Sequence, residues 1–292
     1  VKQSPVPVLA IPTIADYRDI DNVLYASDFR EVDLEAIGQL IEFIKPYKPE
    51  IKLVHVSSEN EYNGNQKMEW FKEAKLGIFI HWGMYAVDGT SESWAFHNKT
   101  VPYDEYMAQM TSFDASNYDP KLWAGIIKES GAKYCVITTK HHDGLALYNT
   151  KIKTAAPLKN KNWQSNKPLS VTFQTPARRD LIAPLFEELE KVGIKKGAYY
   201  SLLDWSSDDY PGFLKDSSRY LIDNDTIRWQ HFLEFMHGQI TELATNYNPD
   251  LYWFDGDWEH TEEQWQSIVI DSIIHANNPN AILNGRLKSF GD

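Results

Sequence analysis

The feature that most constrains this chain is a series of five short apolar segments separated by amphipathic ones. The apolar segments have the length and composition of buried strands and lie at 77–80, 133–139, 195–200, 251–254 and 281–284. The amphipathic segments between them predict helices at 120–130, 180–192, 227–245 and 261–276. Two of these helices end before a glycine, Gly131 or Gly193, which favours a left-handed cap. Such alternation is typical of an α/β protein with a parallel sheet.

The residues that directly follow the five strands distinguish between two kinds of parallel architecture. They are His81-Trp82-Gly83, Lys140-His141-His142-Asp143-Gly144, Ser201 with Asp204-Trp205, Asp255-Gly256-Asp257-Trp258, and Gly285-Arg286. Polar chemistry at the carboxyl end of every strand is typical of a (β/α)8 barrel. A doubly wound sheet concentrates it near one switch point instead. We therefore predict a (β/α)8-like, TIM-type barrel.

The first 60 residues precede this series and predict a small separate unit. Apolar segments at 6–12, 22–26 and 51–56 predict strands, and the apolar spacing from residue 31 to residue 45 predicts a helix. A strand-helix-strand unit normally lies in a parallel sheet. A polar stretch containing the turn Asn63-Gly64 follows it. The predicted organisation is an α/β segment at 1–60, a linker at 61–67 and a larger domain at 68–292.

Composition and missing motifs exclude several classes of function. The chain of 292 residues has 29 basic and 41 acidic residues, and its net charge of -12 repels polyphosphates and anionic membranes. The single cysteine, Cys135, excludes an internal disulfide and a multi-cysteine metal site. Neither a glycine-rich phosphate loop nor a Gly-x-Ser-x-Gly motif occurs, which disfavours phosphoryl transfer and esterase chemistry. With no membrane-length apolar run and no leader-like start, the chain is expected to be soluble.

Asp255 is the strongest candidate for a catalytic residue, because it ends an apolar strand between Trp253 and Trp258. A carboxylate in such a place suits nucleophilic attack or stabilisation of an oxocarbenium-like transition state. Asp257 is the alternative reacting group, and a loop in which both carboxylates cap the next helix is the structural alternative. Arg286 ends the fifth strand, where its charge can hold a neighbouring carboxylate ionised.

The consecutive histidines His141 and His142 predict a polar binding site more than a metal site. Neighbouring residues of a strand point to opposite faces, so both rings reach one ion only if the strand has already ended. No second histidine and carboxylate cluster has ligand spacing, and no metal is predicted. Binding to a hydroxylated ligand is favoured over the alternative, in which two structural histidines are simply satisfied by hydrogen bonds at a strand end.

Several motifs that occur in order resemble the retaining α-L-fucosidase family. They are MEWFKEAKLGIFIHWG at 68–83, TTKHHDG at 138–144, RDL at 179–181, GAYYSL at 197–202 with Asp204-Trp205, and WFDG at 253–256. The resemblance runs from about residue 66 to the end of the chain. It implies a (β/α)8-like catalytic domain, hydrolysis of terminal α-L-fucose from an oligosaccharide or glycoconjugate, a covalent glycosyl-enzyme intermediate and no cofactor.

Carried over residue by residue, the resemblance implies roles for eight positions. Asp255 matches the family's nucleophile. The residues that match positions shaping the fucose pocket are His81, Trp94, His141, His142, Tyr200, Trp253 and Arg286. Ser93 stands where the family often has a glutamate, so either Glu92 substitutes for that carboxylate or the contact is lost.

The family's acid/base glutamate follows shortly after a segment that matches 284–286, and no residue of this chain matches it. Glu259, Glu262 and Glu263 come soon after the nucleophile, but the last two are typical of the first turn of a helix. The part after the linker is also shorter than the roughly 250 residues of a typical barrel. We therefore expect a barrel that is incomplete at its C-terminus, with the acid/base beyond Asp292.

Residues 1–60 resemble part of a universal stress protein, through PVLAIP at 7–12, LYASDF at 24–29 and LVHV at 53–56. That resemblance suggests the cytoplasm, whereas a fucosidase often works in the periplasm, outside the cell or in the lysosome. Compartment and oligomeric state therefore stay open. Two other functions also stay open: a fucose-binding or degenerate protein that lacks the acid/base, and a stress-response module fused to it.

Overall fold

The computed structural model describes residues 22–26, 50–54, 65–154, 164 and 166–287. The chain divides into two compact units, Val1–Glu69 and Trp70–Asp292. In the first unit, β1 (Asn22–Ala26) and β2 (Glu50–Val54) pair in parallel, with Asn22 opposite Glu50. The predicted strand at 6–12 and the predicted helix at 31–45 lie outside the described residues. The helix α1 (Asn65–Ala74) covers the end of the segment predicted as a linker.

The second unit contains five parallel strands whose order in the sheet copies their order in the chain. They are β3 (Gly77–Ile80), β4 (Tyr134–Lys140), β5 (Lys195–Ser201), β6 (Leu251–Asp255) and β7 (Ile282–Leu283). All five predicted strands are confirmed, with ends shifted by one residue at most. A doubly wound sheet would reverse its winding direction from a central strand. The unidirectional order therefore fits the wall of a TIM-like catalytic domain.

The sheet is strongly curved, as contacts between distant strands show. The Phe79 ring of β3 lies 5.3 Å from the Trp253 ring of β6 and 6.0 Å from the Tyr199 ring of β5. Neighbouring strands are about 4.8 Å apart, so β3 and β6 would be about 14 Å apart in a flat sheet. The face that carries these rings is concave, and we call it the inner face.

Helices lie between the strands in the chain, and the longer ones share a buried core with the opposite, outer face of the sheet. The helices are α2 (Trp94–His97), α3 (Tyr103–Ala108), α4 (Pro120–Glu129), α5 (Val171–Gln174), α6 (Ala183–Lys191), α7 (Thr226–Glu242), α8 (Glu262–Trp265) and α9 (Ser267–Asn277). Outer-face residues such as Ile137, Ala198, Tyr200 and Phe254 are fully buried in one core with the helices. Within the part of the chain that the structure describes, no helix combines the length and apolarity needed to cross a membrane.

Local backbone chemistry explains where the predicted helices begin and end. Gly131 and Gly193 adopt φ values of 85° and 73°, so the left-handed caps are confirmed. The helix predicted from residue 180 begins only at Ala183, and the Asp180 carboxylate before it accepts the backbone N–H groups of Ile182 and Ala183. The helix predicted at 261–276 is divided into α8 and α9 by Gln266, whose φ is 53°.

Candidate active site

Asp255 is the last residue of β6 and lies opposite Ser201, the last residue of β5. Its Oδ2 accepts a hydrogen bond of 2.8 Å from the hydroxyl of Tyr199. Its Oδ1 accepts one of 2.8 Å from Nη1 of Arg286. Two donors thus fix the orientation of the carboxylate, while its side chain remains 20% exposed. An oriented and accessible carboxylate at a strand end can attack a bound electrophile.

The segment that carries Arg286 is itself attached to β6. The side-chain amide of Asn284 accepts the backbone N–H of Phe254 and donates to the backbone carbonyl of the same residue, each at 2.9 Å. These two bonds continue the pairing of β7 with β6 beyond the last strand residue. They place Arg286 beside Asp255, as the position of both at strand ends predicted.

Tyr199 and Tyr200 are adjacent residues of β5 with opposite surroundings. Burial and then the charge of Asp255 raise the pKa of Tyr199 far above its usual value, so its hydroxyl keeps the proton that it donates. The Tyr200 hydroxyl points into the outer core and donates to Oε1 of Gln239 on α7 at 2.8 Å. Successive residues of a strand face opposite sides. The structure therefore places Tyr199 against the candidate nucleophile, whereas Tyr200, which was expected to shape the sugar pocket, faces the outer core.

His142 is completely buried next to Asp255. Its Nδ1 lies 2.6 Å from Oγ of Ser201, and its Nε2 lies 3.9 Å from Oδ2 of Asp255. Within the described residues, that Nε2 has no hydrogen-bond partner. Burial, followed by the nearby rings and the charge of Lys140, holds the pKa of His142 well below 6.5. The ring is therefore neutral, with one nitrogen available beside the carboxylate.

His141 and His81 complete a group of three histidine rings. His141 stacks on the ring of Tyr199 at 5.5 Å, and its Nδ1 lies 2.6 Å from Oγ of Ser93. Burial, followed by His81, lowers the pKa of His141 well below 6.5. His81 lies 5.6 Å from His141 and 5.0 Å from Tyr199, and burial lowers its pKa also. The structure thus brings the three predicted histidines together as neutral rings.

Each of the adjacent histidines has one ring nitrogen engaged by a serine. In both His141 and His142, Nδ1 already contacts a serine hydroxyl. Among residues 65–154 and 166–287, no group of three or more histidine, cysteine, aspartate or glutamate side chains is placed to hold a metal ion. A neutral imidazole can donate one hydrogen bond and accept another, which suits the hydroxyl groups of a sugar.

Tryptophans form one wall of the site. Trp94 contacts His142 edge-on at 5.7 Å and stacks on Trp258 at 6.2 Å with a 24° tilt. Trp258 is 50% exposed, and the guanidinium of Arg286 lies 5.7 Å from its ring centre. Trp253 is two residues before Asp255 on the same inner face and is half-buried. Arg286 thus connects the Asp255 carboxylate to this tryptophan wall, while Trp253 lies one step deeper on the inner face.

A buried ion pair supports the site from below. The ammonium of Lys140 lies 3.5 Å from Oδ2 of Asp204 and donates to the carbonyl of Leu203 at 3.2 Å. Burial lowers the pKa of Lys140, and the charge of Asp204 opposes that shift. Asp204 also accepts the backbone N–H groups of residues 206 and 207 at 3.1 Å. The pair therefore fixes the loop after β5 against the end of β4.

Four other carboxylates lie within the eight residues that follow Asp255. Asp257 begins a short 3-10 turn, and its Oδ1 lies 3.6 Å from Nη1 of Arg286. Glu259 accepts a hydrogen bond from the buried hydroxyl of Tyr210. Glu262 and Glu263 form the first turn of α8, as the sequence predicts. A cleft of about 470 Å³ beside Arg286 is lined by residues from Asp257 to Trp265 and by residues 285–287.

Comparison with known proteins gives one consistent result. The family model described as Alpha-L-fucosidase matches residues 40–289. Human tissue alpha-L-fucosidase is 30% identical over 226 residues, which cover 72% of this chain and 44% of that protein. The alpha-L-fucosidase of Dictyostelium discoideum is 29% identical over 240 residues, which cover 75% and 48%. The chain thus spans less than half the length of these curated relatives.

Solved structures agree with the sequence relatives. Alpha-L-fucosidase isoenzyme 1 from Paenibacillus thiaminolyticus is 34% identical, with a TM-score of 0.64 over 77% of this chain and 51% of that one. A GH29 alpha-L-fucosidase from Bacteroides thetaiotaomicron is 31% identical, with a TM-score of 0.65 over 82% and 52%. These comparisons give no support to a stress-protein resemblance at 1–60, and the family model overlaps that segment from residue 40.

Proposed function

This chain belongs to the α-L-fucosidase family, and we propose that its second unit is the catalytic domain of a glycoside hydrolase that releases terminal α-L-fucose. The observation that carries the proposal is the Asp255 carboxylate, held by Tyr199 and Arg286 beside an Nε2 of His142 that has no partner among the described residues. One similar structure, that of a variant of the alpha-L-fucosidase AlfC, is a complex with Fuca(1,6)GlcNAc. A fucosylated oligosaccharide or glycoconjugate is therefore the proposed substrate.

The proposed reaction is a retaining double displacement. In the first step a carboxylate oxygen of Asp255 bonds to the anomeric carbon, the glycosidic C–O bond breaks, and an acid protonates the leaving oxygen. In the second step water attacks the same carbon, gives its proton to that residue now acting as base, and releases the Asp255 carboxylate. Tyr199 and Arg286 hold the carboxylate in line in the first step and stabilise its charge as it leaves in the second.

The neutral histidines and the tryptophan wall are the proposed sugar-binding groups. A neutral imidazole offers one donor and one acceptor, so His81, His141 and His142 can each take a different partner from a ring of hydroxyl groups. Trp94 and Trp258 offer apolar faces for the C–H groups of the sugar. Trp253 is proposed to shape the deeper end of the pocket from the inner face. The placement of Tyr200 in the outer core does not support a pocket role for it.

The proton donor is proposed to lie beyond Asp292. Glu259 is engaged by Tyr210, and Glu262 and Glu263 belong to the first turn of α8. General acid catalysis contributes about 10²-fold to 10⁴-fold. We therefore expect the 292-residue chain to favour fucosides whose leaving group departs without protonation, such as dinitrophenyl fucoside, over natural disaccharides.

The curved five-stranded sheet is proposed to be part of a (β/α)8-like barrel that the chain does not complete. The contact between Phe79 and Trp253 supports this closure. A stress-protein-like α/β segment at 1–60 remains a further proposal, supported by the parallel pairing of β1 with β2.

The decisive experiment compares Asp255→Ala with Asp257→Ala, because both carboxylates lie near Arg286. With dinitrophenyl α-L-fucoside, Asp255→Ala should lose about three orders of magnitude or more in kcat. Azide should restore its turnover by attacking from the vacated side, giving β-fucosyl azide. Asp257→Ala should keep most of the activity.

Two outcomes would redirect the proposal. If Asp257→Ala loses activity while Asp255→Ala keeps it, the nucleophile is Asp257. If the unaltered chain binds fucose in calorimetry but turns over no fucoside, it is a fucose-binding protein and the enzymatic proposal is wrong. The first-formed anomer of fucose, observed by NMR, tests retention directly, since α-fucose is expected and β-fucose would contradict it.

A further inference from the structure

His141 and His142 each contact a serine hydroxyl, but the two serines differ in their other contacts. In each ring, Nδ1 lies 2.6 Å from a serine Oγ, that of Ser93 or of Ser201. The hydroxyl of Ser201 also donates to the backbone carbonyl of Leu203 at 2.7 Å. Among the described residues, the hydroxyl of Ser93 contacts only His141. The hydroxyl hydrogen of Ser201 is therefore already donated to a second partner, whereas that of Ser93 is not donated to any second partner in the described part of the chain.

Counting hydrogens fixes the proton position on His142. A serine hydroxyl carries one hydrogen, and a carbonyl oxygen can only accept. Since the hydrogen of Ser201 goes to Leu203, the hydrogen in the contact between Ser201 and His142 must come from Nδ1. The ring is neutral, so Nε2 carries a lone pair. The same count leaves the tautomer of His141 open, because the Ser93 hydroxyl can turn to donate or accept.

The carbonyl of Leu203 is itself fixed. It also accepts a hydrogen bond from the ammonium of Lys140, a residue that is fully buried and paired with Asp204. The ammonium holds this carbonyl in place, and the second lone pair of its oxygen is available for the hydrogen of Ser201. The donors from His142 and Ser201 thus run in one direction toward the anchored carbonyl.

The Nε2 nitrogen of His142 faces another hydrogen-bond acceptor, so the two atoms cannot bond to each other. This nitrogen is buried and lies 3.9 Å from Oδ2 of Asp255, which also only accepts. An O–H group placed beside them satisfies the nitrogen by donating to it. A sugar bound for attack by Asp255 brings such a hydroxyl to this place.

We propose that Ser201 is a positioning residue, which fixes the Nδ1–H tautomer of His142 so that Nε2 accepts a hydrogen bond from a substrate hydroxyl next to Asp255. The identity of that hydroxyl as part of fucose rests on the proposed function. The tautomer itself is a property of the protein without substrate.

The test is NMR of the full chain with ¹⁵N-labelled histidine, with the signals of His142 identified by their loss in His142→Gln. In the unaltered protein, Nδ1 should give the shift of a protonated ring nitrogen and Nε2 that of an unprotonated one. The reverse assignment would overturn the proposal without reference to any substrate.

Three variants separate positioning from a general structural role. In Ser201→Ala the ring loses its acceptor, and the proton should move to Nε2, from which it can approach Asp255. Ser201→Thr keeps a hydroxyl and should keep the original tautomer. Ser93→Ala is the matched control and should leave His142 unchanged. An unchanged His142 tautomer in folded Ser201→Ala would contradict the proposal, and should that variant not fold, the unaltered protein and Ser201→Thr still decide it.

Steady-state kinetics test the expected effect of Ser201 on catalysis. Ser201→Ala should lower kcat/KM on an aryl fucoside about tenfold, the effect of one lost hydrogen bond of about 1.4 kcal/mol, and Ser201→Thr should restore it. If no form of the chain hydrolyses a fucoside, the proposed function fails while the NMR result on Ser201 stands. If hydrolysis is normal and His142 carries its proton on Nε2, the positioning role fails while the function stands.

Discussion

Each face of the curved sheet carries a buried tyrosine, and the two tyrosines have different partners. Tyr199 and Tyr200 are consecutive, both are almost completely buried, and both donate a hydrogen bond of 2.8 Å. The inner-face residue donates to Asp255, and the outer-face residue donates to Gln239 of α7. Residue type and burial are therefore no guide to role. The face decides it, because one partner is a candidate reacting group and the other belongs to the helical layer.

The faces also differ in how completely they are covered. Outer-face residues such as Ile137, Ala198 and Phe254 are inaccessible to solvent. On the inner face, Phe79 is 39% exposed and Asp255 is 20% exposed. Burial of apolar surface is the main source of stability. The outer face should therefore dominate folding, and the inner face should dominate binding and catalysis.

The largest expected effect is on folding, from Phe254→Ala on the outer face. This variant should lower the free energy of unfolding by about 3–5 kcal/mol, because it leaves a cavity in a fully buried core. Urea denaturation measures it. Trp253→Ala, one residue earlier on the half-buried inner face, is the matched control. An equal or larger loss for Trp253→Ala would contradict the assignment of stability to the outer face.

Tyr199→Phe should act mainly on catalysis. It removes a hydrogen bond to a charged carboxylate, worth about 1.5–3 kcal/mol, so kcat/KM should fall about tenfold to a hundredfold. Steady-state rates with an aryl fucoside measure this loss. Asp255 keeps its contact with Arg286, so the fold should be little affected. Unchanged rates would show that the Tyr199 hydroxyl does not serve the nucleophile.

Tyr200→Phe should show the opposite pattern. It leaves Oε1 of buried Gln239 without its donor, which should cost about 1–3 kcal/mol of unfolding free energy. Its kcat/KM should stay at the level of the unaltered chain. A loss of activity like that of Tyr199→Phe, with unchanged stability, would reverse the assignment of the two faces.

The smallest expected effect is a pH dependence of stability that comes from the inner face. The folded-state pKa of His142 is well below 6.5, so below that pH the unfolded chain binds a proton that the folded protein does not. Stability should therefore fall as the pH is lowered from 6.5, by at most about 1.4 kcal/mol per pH unit for this group. His142→Gln should flatten the slope of stability against pH that urea denaturation measures for the unaltered chain. An unchanged slope in this variant would contradict the prediction.

Much of the second unit could be predicted because apolar runs show where strands end. Asp255, His141 and Arg286 all lie at or just after predicted strand ends, and in the structure Arg286 bonds to the Asp255 carboxylate while His141 stacks on its other partner, Tyr199. Which of Tyr199 and Tyr200 faces the site could not be predicted in the same way. Period-two alternation identifies a buried face only when the other face is polar. In β5 both faces are buried, so its apolar pattern does not show which of its residues face the site.

Two further features depend on contacts that a sequence pattern does not contain. The apolar spacing of 261–276 continues through Gln266, and only its φ of 53° shows that the helix is broken there. The pairing of Ser93 with His141 and of Ser201 with His142 joins residues 48 and 59 positions apart. Ser201 and His142 meet because β4 and β5 are neighbours in the sheet, and Ser93 reaches His141 from the start of α2.

The order of the strands has a consequence for synthesis. Each strand from β4 to β7 pairs with the strand made just before it. A chain that emerges from the ribosome can therefore add one strand and one helix at a time to an edge that already exists. Each addition closes a loop of limited length, which keeps its entropic cost low. Because Arg286 follows β7, Asp255 receives its cationic partner only when the last of these five strands has joined the sheet.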